Sequence, residues 1–215
     1  MTLDEHQIER YSRHIILPNF GGQGQERLLA ATVLLVGVGR SALTAALHVA
    51  AAGVGRLVLI DNNRYAQIAL AAAITARNPD VIVDVAHEWH QDVELVLCFQ
   101  SAAMVLADWG DFSLRTATPF IITRVGDEWG EVVVLGGESR GPCYKCWQAT
   151  PLGGPANQVA EGLLGAVAAG EALRSLLGIG KSSMVVRHDF MQADVSNLPL
   201  LPNTQCPRCR QGEGE

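Results

Sequence analysis

Short, nearly unbroken aliphatic runs mark the first half of the chain. They are Thr32–Val36 (TVLLV), Arg56–Ile60 (RLVLI), 81–85 (VIVDV), 94–98 (ELVLC) and 119–123 (PFIIT). They lack the apolar–polar alternation of a half-exposed strand, so they predict strands buried on both faces, as in a parallel sheet. Helix-length segments separate several of them: 41–52, closed by the turn Gly53-Val54-Gly55, and Arg64–Arg77, stopped by Asn78-Pro79. Upstream, the pattern predicts a helix from residue 3, an irregular Pro-Gly-Gly segment, and a short helix over 25–31. Downstream the period changes. An extended segment spans 130–147, a helix rich in small residues spans 157–180, a strand covers 182–190, and the tail is LPNTQCPRC.

This order predicts an α/β fold, a Rossmann-like doubly wound sheet with a mixed C-terminal half. We expect one domain over 1–215: an N-terminal helical arm (1–31), a nucleotide-binding-like half (32–125), and a zinc-bearing and dimerisation half (126–215). The first strand runs into Gly37-Val38-Gly39 and the second ends on Asp61. A dinucleotide fingerprint has a third glycine three residues after the second, and here that place is Ala42. The third glycine serves helix–strand packing more than phosphate contact, so one methyl is a mild change.

With 215 residues, 48% hydrophobic and 18% charged, the chain has ample material for a core. A net charge of −6 with no basic patch argues against nucleic acid. No apolar run approaches a membrane span, and the polar start MTLDEHQIER is not a signal peptide, so a cytoplasmic protein without membrane contact is expected. Five cysteines occur: Cys98, and the pairs Cys143/Cys146 and Cys206/Cys209. Two Cys-x-x-Cys pairs in a reducing compartment indicate a metal rather than disulfides. A closed set of four cysteines makes that metal a structural zinc, preferred over an iron–sulfur cluster because the pairs lie far apart in sequence.

Several stretches resemble the ThiF/MoeB/HesA family, relatives of the ubiquitin-activating enzymes. They are RYSRHIILPNFGGQGQERLLAATVLLVGVG, AAGVGRLVLID, GPCYKCW, GLLGAVAAGEALRSLLG and CPRC, in the family's order from Arg10 to Cys209. The resemblance implies a Rossmann-like homodimer that holds ATP and adenylates the C-terminal glycine of a ubiquitin-like or sulfur-carrier protein. Gly37 and Gly39 then approach the triphosphate, Arg40 and Ser41 add donors at a helix N-terminus, and Asp61 takes the ribose hydroxyls. Arg13, of the RYxRQ-like motif, is implied to reach into a partner's site in trans, with Arg10 one turn before it. The plainer reading makes Arg13 a surface residue paired with an acid such as Glu9.

The rest of that site departs from the family. Asp61 is followed by NNRYAQIALAAAITARNPD, so the connection carrying the family's Arg-bearing stretch is cut away, and the phosphate-binding lysine's place falls near Ala66. Arg64 is the nearest cation. The strand that carries a metal-orienting aspartate in the family reads ELVLCFQSAA, with no carboxylate from Cys98 to Ser101. Nor does the stretch between the first Cys pair and the long helix hold the cysteine that thioester-forming members use. Loss of these groups removes most charge stabilisation from nucleotidyl transfer.

The expectation is a degenerate member: a zinc-stabilised, dimeric partner-binding or helper subunit with a weakened ATP site and no catalytic residues of its own. It would pair as a homodimer, or as a heterodimer with a competent relative. The alternative is an active ATP-dependent adenylyltransferase acting on a carrier-protein C-terminus, and a third reading is a small-molecule binder using the Gly37/Asp61 crevice. His87 and His90 are read as a polar loop, the four tryptophans as packing residues, and Cys98 as a core thiol.

Overall fold

The computed structural model describes residues 3–18, 20–89, 92–100, 102–136, 141–147, 152, 154–179 and 183–206. Its elements, in chain order, are α1 (Glu5–Ile15), α2 (Gly21–Ala30), β1 (Thr32–Val36), α3 (Arg40–Ala52), β2 (Arg56–Ile60), α4 (Arg64–Arg77) and β3 (Ile82–Ala86). There follow β4 (Leu95–Cys98), α5 (Ala103–Thr116), β5 (Phe120–Val125), β6 (Trp129–Leu135), α6 (Gln158–Leu177), β7 (Met184–Asp189) and β8 (Asp194–Pro199). None of the described helices is long and apolar enough to cross a membrane.

The eight described strands form one sheet in the order β3-β2-β1-β4-β5-β6-β7-β8. β1 to β5 are parallel, and β6, β7 and β8 add antiparallel to them. From β1 the chain steps outward through α3 and α4 to β3, then returns to β4 on the other side of β1. Right-handed crossovers running in opposite directions place their helices on opposite faces. Thus α3 and α4 share a core with α2 and α6 on one face, while α5 packs on the other with Trp109, Tyr144 and Trp147. The order reverses between β1 and β4, which opens a crevice at their carboxyl ends.

Three features differ from the sequence expectation. α2 begins at Gly21 rather than Gln25, because Gly21 takes a positive φ of 62° that turns the chain straight into the helix. α5 was not expected. Its apolar residues are only half-buried beneath a loop, which blunts the helical period. β8 was not expected: it is an edge strand exposed along most of its length, so it carries no core pattern.

The small-residue face of α6, in the half assigned above to dimerisation, is used within the chain. Gly165, Ala168, Ala169 and Ala172 are buried, and Ala42, Ala45, Ala46 and Val49 of α3 are buried with them. A Cβ on Gly165 would collide with the Ser41 carbonyl and sit 2.9 Å from Thr44 Cβ. The close approach that a third glycine would supply on α3 at Ala42 is here given to α6 by its own glycine.

The N-terminal arm is anchored at the far end of α3. Tyr11 is 1% exposed and its hydroxyl accepts from Asn78 Nδ2 at 2.9 Å. The same amide donates to the Ala50 carbonyl at 2.7 Å, and Gln25 Nε2 donates to Ala52 O at 3.0 Å. Gly53, at φ 92°, ends α3, and a Cβ there would lie 2.8 Å from the Tyr11 ring. The helix C-terminus thus has orphan carbonyls satisfied by side chains from the arm and from the end of α4.

Candidate functional site

The crevice is built from the ends of three strands. Gly37 leaves β1 at φ 96°, a backbone that only glycine adopts without strain, and its N–H donates to Ile60 O at 2.8 Å. Gly39 is the N-cap of α3 in extended conformation and has no side-chain cap. Nothing lies within 4 Å of a Cβ built on Gly39, so the space beside the start of α3 is open there. Ser41 is buried, whereas Arg40 is exposed and stands 3.9 Å from Glu161 on α6.

Asp61 sits at the end of β2 and is already engaged. Oδ2 accepts from the Val38 N–H at 3.0 Å and from Gln100 Nε2 at 3.1 Å, and Oδ1 accepts from the Asn63 N–H at 2.7 Å. A carboxylate offers about four acceptor positions, so three are spent before any ligand arrives. Gln100 also covers the turn: a Cβ on Gly37 would lie 2.8 Å from Gln100 Cγ. Gln100 carries no charge and so does not stand out in the sequence. Its position two residues past β4, beside the glycine turn, was the available clue.

The neighbouring cation does not serve the crevice. Arg64 Nη1 donates to the Val85 carbonyl at 3.0 Å, at the end of β3. Asn63 caps α4 by accepting from the Ala66 N–H at 3.1 Å. Gln67 is fully buried and its amide bridges Leu59 O and Ala86 O, both at 2.9 Å, so this stretch is committed to holding β2 and β3 together.

Arg13 is exposed on α1, and Arg10 pairs with Asp80 at 3.0 Å. Because α1 is anchored at the C-terminal end of α3, the 13 residues of that helix separate it from the glycine turn. At 1.5 Å per residue that is about 20 Å, too far for Arg13 to reach the crevice of its own chain.

Cys143, Cys146 and Cys206 converge behind α5, with Sγ atoms all within 4.8 Å of one another. Cys143 Sγ is 3.9 Å from that of Cys146 and 3.7 Å from that of Cys206. Disulfide bonding needs about 2.05 Å. Tetrahedral thiolates at a Zn–S distance of ~2.3 Å stand about 3.8 Å apart, which these separations match. The Cys146 N–H donates to Cys143 O at 2.9 Å, forming the tight turn, and the Asn203 N–H points at Cys146 Sγ at 3.4 Å. This group can hold a metal ion; Cys209 lies outside the described residues, as do His90 and Ser101. Cys98 is fully buried, and burial pushes its thiol up to about 12. Trp147 is buried under Arg124, and the other three tryptophans are partly buried.

Residues 11–67 match the profile of the ThiF family. Over that stretch the chain carries a ThiF-family domain match. The chain is 29% identical to the SAMP-activating enzyme E1 of Haloferax volcanii, covering 99% of this chain and 92% of that protein. It is also 29% identical to the sulfur carrier protein adenylyltransferase of Thermus thermophilus, over 97% and 93% of the two. The Haloferax alignment runs over 252 positions, longer than the 215-residue chain, so the relative carries segments that this chain omits. Among solved structures, Escherichia coli MccB with ATP shares the fold at a TM-score of 0.79 with 14% identity, over 93% of this chain and 73% of that one.

Proposed function

We propose that this protein is a zinc-stabilised, dimeric partner-binding or helper subunit in the activation of a ubiquitin-like or sulfur-carrier protein, with little or no adenylation of its own. The observation that carries the reading is the self-satisfied crevice. Asp61 holds three internal donors, and the Gln100 stem packs against Gly37 at the turn. The sequence offers no lysine near Ala66 and no acid from Cys98 to Ser101 to place Mg²⁺ against a triphosphate. Without these groups the transition state gains little over the ground state.

In this reading the carrier's C-terminal tail lies along the carboxyl edge of the sheet, and Arg13 acts on a partner chain's crevice because it cannot reach its own. The partner is a second copy or a competent relative. Zinc, held by Cys143, Cys146, Cys206 and Cys209, fastens the tail to the sheet.

A second reading, an active adenylyltransferase, is favoured by one observation: α3 begins at Gly39 with no side-chain cap and open space beside it, the kind of helix N-terminus that suits a phosphate. Exchange of labelled pyrophosphate into ATP, run with candidate carrier proteins, separates the two. Background exchange is expected from this protein alone. Robust exchange that is lost in Asp61→Ala would overturn the helper reading.

A further inference from the structure

At the carboxyl edge of the sheet, a row of polar side chains continues outward from the crevice. Val36 pairs with Cys98 and Cys98 with Ile122, so Gln100 and Arg124 stand two residues further along neighbouring strands, at one level. Arg124 pairs in register with Glu131, and Glu131 with Arg187. Glu131 is fully buried; its Oε1 accepts from Arg124 Nη2 at 2.5 Å and its Oε2 from Arg187 Nη2 at 3.1 Å. One carboxylate is thus divided between two guanidinium groups, and Arg187 receives a single oxygen of it. A guanidinium carries five N–H donors; Nε is buried and one Nη2 donor serves Glu131, which leaves the Nη1 donors and the second Nη2 donor for a further anion.

The trio is not equally open. The Arg124 side chain is 9% exposed, with its guanidinium 4.6 Å from the centre of the buried Trp147 ring. Arg187 is 35% exposed and its guanidinium lies 4.6 Å over the Trp129 ring. Glu131 on one side and Trp129 beneath fix the plane of Arg187, so its exposed edge is presented to solvent at little entropic cost. The nearest acid along the same strand, Asp189, is engaged elsewhere, accepting from the Met191 and Gln192 N–H groups of the following turn.

We propose that Arg187 is a docking point for a carboxylate side chain on the tail of the partner protein. The placement rests on the reading above, in which that tail ends at the crevice. Three strand spacings of ~4.8 Å separate β4 from β7, about 14 Å. An extended chain advances ~3.3 Å per residue, so the acidic side chain belongs about four residues before the tail's C-terminus. The partner is thus a chain with an Asp or Glu at that distance from its end, and the recognition is charge-assisted hydrogen bonding to a planar, preoriented guanidinium.

The test uses the full chain and three synthetic hexapeptides ending in Gly-Gly. One has Glu four residues before the end, one has Gln there, and the third is the Glu peptide with an amidated C-terminus. Calorimetric titration should show the Glu peptide binding about tenfold more tightly than the Gln peptide at low salt, with the gap narrowing at high salt. Arg187→Gln should abolish the difference while leaving binding of the Gln peptide unchanged. Arg187→Lys, which keeps the charge but loses the fork, should retain only part of it and serves if Arg187→Gln melts early. Trp129 emission should change with the Glu peptides alone. Binding of the amidated Glu peptide that is lost in Arg187→Gln would uphold the Arg187 site even if the free C-terminus contributes nothing and the tail reading fails. Equal affinity of the Glu and Gln peptides for the wild type, or no binding of either, would overturn the proposal.

Discussion

Gln100 Nε2 donates to Asp61 Oδ2 at 3.1 Å, across the point where the strand order reverses. A neutral amide from just past β4 thereby holds the carboxylate proposed to meet a nucleotide, and its stem covers Gly37. Removing it should free one acceptor position and open the turn. Gln100→Ala is expected to tighten ATP binding by about fivefold, the worth of one hydrogen bond of ~1 kcal/mol no longer competed for. Titration calorimetry of wild type and variant checks this, and unchanged or weaker binding would show that Gln100 does not close the crevice.

The metal group predicts one zinc per chain, measured by elemental analysis of reduced, folded protein. Cys146→Ser should bind less zinc and lose several kcal/mol of stability, because metal binding at such a site is folding free energy. A full complement of zinc in that variant would remove Cys146 from the ligand set.

The parallel half of the fold was legible because β1, β2 and α4 are written as strong local patterns: aliphatic runs for strands buried on both faces, and an Asn-Pro stop after Arg77. α5 and β8 were not. Half-buried Trp109 and Phe112 and an exposed edge carry no clean period, and only tertiary contact defines them. The site divided in the same way. Gly37 and Asp61 announce themselves by their place at strand ends. That Asp61 is occupied by Gln100, or that Glu131 lies between two arginines, depends on strands brought together from distant parts of the chain.

The anchor of the N-terminal arm gives a stability prediction. Asn78→Ala leaves the Tyr11 hydroxyl and the Ala50 carbonyl without their shared donor in a buried site. The cost should be ~1–3 kcal/mol in urea unfolding. Tyr11→Phe should cost less, since it removes one acceptor and leaves the Asn78–Ala50 bond. Equal losses, or none, would mean that the arm is not held by this network.

Cys98 supplies a pH dependence. Its thiol is raised from 9.0 to about 12, first by burial, against a smaller lowering by a backbone hydrogen bond at Gln100. The folded state therefore resists ionisation more than the unfolded one. Stability from this group is fully present below about pH 9 and is lost as pH rises towards 12, at a slope of about 1.4 kcal/mol per pH unit. Cys98→Ala should flatten that part of the curve. In native protein, Cys98 should also stay unmodified by iodoacetamide after a chelator has exposed the other thiols, with mass spectrometry as the readout.

Arg13 is the residue whose role depends on a second chain. It lies on α1, which is anchored at the opposite end of α3 from the glycine turn, a helix about 20 Å long, so the role proposed for it on a nucleotide is one in trans. Sedimentation should report about twice the chain mass, alone or with a competent relative. In mixtures with such a relative, this protein should raise the relative's pyrophosphate exchange, and Arg13→Ala should abolish the rise while leaving the sedimenting species intact. Arg13→Lys should restore only part of it, because a point charge replaces a fork that grips two phosphate oxygens. A rise that survives Arg13→Ala would place the stimulation elsewhere on the surface. A clean monomer in every mixture would remove the trans role altogether.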